Sequence, residues 1–191
     1  MKENPLPVNR SSLKKWFWIL LVLNVLFISF STYYLHPLTT GEIISLEIAG
    51  TEDRLNAILS DWEKVPGKLE KALDSVYLDF VFIFLYIPFL ALACYYLPSI
   101  NGSKLFIDAG KFFSWLLLGV FACELIENTG LIKILNGDYN PATIGLTHDT
   151  AVAKFTILII VVLFVVFSPF LNIPGKQKYS SVFMKDGNTS L

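Results

Sequence analysis

Four long apolar stretches separated by polar connections dominate the chain: Trp16 to Leu35, Val76 to Leu97, Phe112 to Ile134 and Ala151 to Leu171. Each approaches the roughly 20 residues that a helix needs to cross about 30 Å of hydrocarbon. A helix pairs its own backbone groups, which lipid cannot do, so the pattern predicts an all-α fold: a four-helix transmembrane bundle. The membrane domain then runs over 16–171, between a tail at 1–15 and another at 172–191. Pro88 in the second stretch and Pro169 near the end of the fourth each lack a backbone donor, which predicts a kink at the first and a helix end near the second. The first stretch follows basic Arg10, Lys14 and Lys15 as a secretory signal would. It is longer than a signal core and continues into bulky Tyr33, Tyr34 and His36, so a retained anchor is expected.

The connection over 36–75 is too long for a bare linker and should fold locally. Ile44, Leu46 and Ile48 alternate with Ser45, Glu47 and Ala49, the period of a half-buried strand that Gly50 would end. Thr51 then stands as an N-cap with Glu52 and Asp53 in the first turn, where the helix dipole favours anions. Leu55, Ile58, Leu59 and Trp62 recur at i, i+3, i+4 and i+7, one face of a short helix that Pro66-Gly67 stops. This structured outer loop either lies on the membrane surface or caps the bundle. A further helix opening near Lys68 runs on into the second span.

Composition narrows the function. The chain is 54% hydrophobic and 16% charged, with a formal net charge of -1. There is no basic excess to attract nucleic acid. Its two cysteines, Cys94 and Cys123, form no CxxC pair and fall at different depths, so neither thiol redox chemistry nor a disulfide is expected. Lys and Arg set orientation, because they are held back on the cytoplasmic side. The two tails and the 98–111 connection carry nine, and the other two connections with Lys133 carry five, which places both termini in the cytoplasm. No glycines stand at Gly-x-x-x-Gly spacing, and no nucleophile elbow or HExxH motif occurs.

The informative residues are the ionisable ones inside the spans, since a charge there costs at least roughly 2.5 kcal/mol. Asp79 and Lys154 each lie three residues inside the outer ends of their spans, about 4.5 Å. Glu124 and Glu127 lie about 18 and about 22 Å up the third span from its inner end. All four therefore fall in the outer half. Glu124, Glu127 and Asn128 share one helix face, as do Asp79, Ile83 and Tyr86, and both faces should look inward. His36 and His148 lie near the same level. Three carboxylates and one ammonium do not all stay ionised in a low dielectric, so either an acid keeps its proton or something positive binds. Three readings are open. One is a structural network, with Lys154 paired and Asn128 and Tyr86 completing the hydrogen bonds. The second is binding or passage of a proton, a cation or a small cationic ligand by Asp79, Tyr86, Glu124, Glu127, Asn128 and Lys154. The third is a metal site of Asp79, Glu124 and Glu127 with His36 or His148, which would support metal-assisted hydrolysis if a coordination position stayed open.

The run Ser45-Leu46-Glu47-Ile48-Ala49-Gly50-Thr51, then Trp62, Leu78-Asp79-Phe80, Glu124-x-x-Glu127-Asn128 and Lys154-Phe155, resembles a group of small, mostly uncharacterised four-span bacterial inner-membrane proteins. The resemblance implies the same topology, an inner-membrane location and the same polar positions, and it supplies no activity. The working expectation is a non-enzymatic component in contact with the lipid bilayer, binding or passing a small ligand, proton or cation. Its rivals are a membrane-embedded enzyme and a scaffold protein. No motif specifies a cofactor or an oligomeric state.

Overall fold

The structure, a computed structural model, describes residues 10–101 and 104–170. These fold as six helices in the order α1 (Arg10–Tyr34), α2 (Thr40–Glu47), α3 (Glu52–Glu63), α4 (Lys68–Asn101), α5 (Lys104–Leu135) and α6 (Pro141–Phe167). The four long ones, α1, α4, α5 and α6, are long and apolar enough to cross a membrane. Most of the tail basic residues used for orientation, Lys2, Lys176, Lys178 and Lys185, lie outside the described residues.

The segment 44–49 is not a strand: it is helical through Glu47, with Ile48 as the C-cap. A capping box decides this: the Thr39 hydroxyl accepts from the Glu42 amide, and the Glu42 carboxylate accepts from the Thr39 amide at 3.0 Å. Once the first turn is fixed, burial follows a spacing of three, with Ile43 half-buried and Leu46 and Ala49 buried, while Ile44 is exposed. The alternation of apolar residues is therefore incidental. The next helix forms as its sequence indicates. Thr51 caps α3 by accepting from the Arg54 amide, and Leu55 and Trp62 are buried. Gly67, at φ 76°, supplies the left-handed turn into α4, which opens at Lys68.

The spans run antiparallel along one another. Phe17 of α1 meets Phe89 and Tyr96 of α4, Phe27 stacks on Phe82, and the Tyr34 hydroxyl donates to Asp74 at 3.0 Å. α4 lies between α1 and α5, and α6 packs on α5 and more lightly on α4. Pro88 and Pro98 both sit inside α4. Pro98 has no N–H for the Cys94 carbonyl, and the neighbouring helix comes up against that freed oxygen: a Cβ on Gly110 would lie 2.0 Å from it. Gly130 brings α5 and α6 together in the same way, against Thr147. α6 ends at Phe167, one residue before Ser168 and two before Pro169.

Two apolar clusters form. One joins the short helices to the ends of the spans: Leu46, Leu55 and Trp62 pack with Ala72, Val76, Leu131, Ile134 and Ile144. α2 and α3 thus cap one end of the bundle. The other lies deeper, around Ile83, Leu90, Leu117, Val120 and Val161. Between the two lies a layer of charge.

Candidate functional site

Lys154 is the centre of this layer. One α6 turn below buried Ala151, it points its ammonium at α5, where Glu124 and Glu127 stand three residues apart and straddle it. Nζ donates to Glu127 Oε1 at 2.8 Å and to Glu124 Oε2 at 3.0 Å. The three side chains are 5%, 0% and 4% exposed, so these are ion pairs removed from water. The second Glu124 oxygen accepts from the Tyr86 hydroxyl at 2.5 Å. Asn128 donates to Asp79 Oδ2 at 2.8 Å, which holds Asp79 close enough to feel the charge of Glu124. The six residues named from the sequence as ligand-binding candidates therefore gather on α4, α5 and α6, Tyr86, Glu124, Glu127 and Lys154 in one set of contacts and Asp79 with Asn128 in a second beside it.

A fourth acid joins them. Glu47, at the end of α2, places Oε2 3.7 Å from Lys154 Nζ and is 12% exposed in its side chain. Burial pushes the Glu47 carboxyl above its ordinary value, and the charge of Glu124 pushes the same way, while Lys154 opposes both. A strand over 44–49 would turn Glu47 away from the bundle. The signal that finds it is the Thr-x-x-Glu capping box at Thr39 and Glu42, which turns the segment into a helix and swings Glu47 onto the spans.

The electrostatic balance is uneven, with four carboxyls gathered about one ammonium. The unevenness has an atomic counterpart: Glu127 Oε2 is buried and has no hydrogen-bond partner among the described residues. Leaving an acceptor of this kind empty costs about 1–3 kcal/mol, and more if it is charged, so the oxygen is a place where a proton or a cation is stabilising.

The histidines are elsewhere. His36 is exposed in the turn after α1. His148 spends its Nδ1 on the Ile48 carbonyl at 3.1 Å, and its ring lies against Gly50. Among the described residues no three His, Cys, Asp and Glu side chains converge as metal donors, so neither histidine completes a metal site with the acids. Cys94 is buried and Cys123 half-buried, and both are free thiols. Separately, a cleft of about 290 Å³ opens at the capped end, lined by Asn56, Leu59, Ser60, Glu63, Ile134 and Tyr139 among others, and none of the charged layer lines it.

No family model matches the chain, and neither a curated protein nor a solved structure is similar to it.

Proposed function

We propose that this is a multi-pass membrane protein whose buried charged layer binds and releases protons, with Lys154 as its built-in counter-charge and Glu124, Glu127 and Asp79 as acceptors. The observation that carries the reading is the unpartnered Glu127 Oε2 beside a surplus of carboxyls. A proton fits better than a metal ion because the acids do not converge as a donor set. A small organic cation is the next ligand by charge. The lysine and arginine distribution supports placing both termini in the cytoplasm of a cell whose inner membrane holds the protein, with the capped end outward. On this reading the chain is a binding or transport component and not an enzyme.

A purely structural network is favoured by one feature, the use of Tyr86 and Asn128 to complete hydrogen bonds. Infrared difference spectra of the purified protein in lipid, taken across a pH step, separate the two. A carboxyl band that changes with pH in the parent and is lost in Glu127→Gln is expected. Identical spectra in the parent, Glu124→Gln and Glu127→Gln, all folded, would leave the structural network as the answer.

A further inference from the structure

We infer that Glu47 is the relay through which the charged layer exchanges protons with water at the capped end, and that α2 is the lid carrying it. The inference rests on the proton-binding reading and assigns its route.

Glu47 is the one acid of the layer carried by a helix that does not span. Its side chain is also the most open of those touching Lys154, 12% against 4% for Glu124 and 0% for Glu127. Asp79, half-buried, belongs to a spanning helix beside exposed Tyr77 and Val81, and its hydrogen bond is to Asn128. On the capped side, therefore, Lys154 gives a proton to Glu47 and takes one from Glu127 in the same exchange, so that the ammonium is restored. At 3.7 Å the Glu47–Lys154 contact is an ion pair without a hydrogen bond, close enough to be felt and loose enough to be made and broken.

The attachment of α2 fits a lid. Its first turn is held by Glu42, which accepts from Lys68 of α4 at 2.5 Å. Its far end is held by the His148 ring on the Ile48 carbonyl, with Gly50 so close that a Cβ would lie 3.0 Å from that ring. Glu47 sits between these two fastenings, so a small tilt of α2 opens or closes its contact with Lys154 while both ends stay attached. The charged groups that face Glu47 are Lys154 from α6 and Glu124 and Glu127 from α5, while His148 of α6 lies against Ile48 and Gly50. From α4, Lys68 is taken up by Glu42, and the charged residues of α3, Glu52, Asp53, Arg54, Asp61 and Glu63, are exposed. The raised Glu47 carboxyl supports the role, since burial lets the group hold a proton more readily than an exposed glutamate does.

The test follows the rate at which the carboxyl band of the layer responds to a pH jump in the full-length protein in lipid. Glu47→Gln should slow that response by roughly tenfold or more, and Glu47→Asp, which keeps a carboxyl, should recover most of the rate. Glu42→Gln, which unfastens the lid while leaving Glu47 in place, should speed it. Hydrogen exchange of α4 to α6 reports whether each variant remains folded. Unchanged rates in Glu47→Gln and Glu42→Gln overturn the relay while leaving proton binding intact. If the parent has no responding carboxyl band, the relay falls together with the reading beneath it. Should Glu47→Gln fail to fold, the Glu42→Gln rate decides alone.

Discussion

Replacing Lys154 by methionine tests the charge balance most directly. The change keeps an unbranched side chain of similar length and removes the ammonium from between Glu124 and Glu127, which are 3% and 0% exposed. Removing one partner of a buried ion pair costs about 3–5 kcal/mol, because the remaining charge is left in a low dielectric. Here two directly bonded acids are stranded, with Glu47 and Asp79 adding their repulsion, so the upper part of that range is expected at mildly alkaline pH. The acids can escape by taking up protons. As the pH falls the variant's native state therefore binds more protons than its unfolded state, and its stability should recover. At about pH 5 the residual loss should shrink to about 1–2 kcal/mol, the worth of the hydrogen bonds themselves. Reversible unfolding in mixed micelles over about pH 5 to 8 measures both limits. Adding Glu124→Gln and Glu127→Gln to Lys154→Met should flatten the pH dependence, since no stranded charge remains. A Lys154→Met protein that loses less than about 1 kcal/mol at every pH, the value of an exposed pair, would show that these groups are not electrostatically coupled as the geometry implies.

Gly110→Ala should destabilise the bundle by about 1–3 kcal/mol, because its Cβ would meet the immovable backbone oxygen of Cys94 at 2.0 Å. Gly130→Ala meets the Thr147 hydroxyl, a side chain that can rotate, so its loss should be smaller and should be largely repaired by Thr147→Ala in the same unfolding assay. Tyr86→Phe removes the donor to Glu124 and should cost about 1.5–3 kcal/mol if Glu124 is ionised, and less if it carries the proton, which the infrared carboxyl band distinguishes. The Lys68 hydrogen bond holds the Glu42 carboxyl below its ordinary 4.5. A lowered acid stabilises the fold above its unfolded value and loses that contribution as the pH falls through its folded one. Hydrogen exchange in α2 should therefore quicken below about pH 4.5, by the equivalent of less than about 1 kcal/mol since the pair is partly solvated, and Glu42→Gln should show the quickened rate at every pH.

The long helices were legible because their signal is a sum over many residues. Mean apolarity over α1, α4, α5 and α6 leaves little room for another structure in lipid, and α3 announced itself by a cap, a face and a Pro-Gly stop. The segment around Ile44 failed for the opposite reason. Six alternating residues fit a strand and also fit a short helix whose buried positions fall every third residue, and tertiary burial of Leu46 and Ala49 decides between them. The stronger evidence was local, in the Thr39 and Glu42 pair just upstream. A reciprocal hydrogen bond between two side chains and two amides constrains the backbone more tightly than a short run of apolar residues does. The role of Gly110 was illegible from its own sequence neighbourhood, because the reason for it lies on another helix, in a carbonyl that Pro98 leaves without a donor.

The charged residues were legible by depth and by face, and those two coordinates bring Glu124, Glu127 and Lys154 to one level before any contact is known. Depth says nothing of a residue outside the spans, which is why Glu47 escaped. Its presence changes the argument. One lysine needs one acid to stay buried, and a second acid serves as bidentate support for its other protons. A packing role accounts for that much. Asp79 and Glu47 go further, and each carries an insertion or burial penalty that a leucine or glutamine in the same place would avoid. Glu47, moreover, meets the layer from a separate helix, fastened at both ends and exposed on its other side. Surplus acid, an unpartnered carboxylate oxygen and a non-spanning helix reaching the same ammonium are what a site that exchanges charge requires, and a site that only holds three helices together needs none of them.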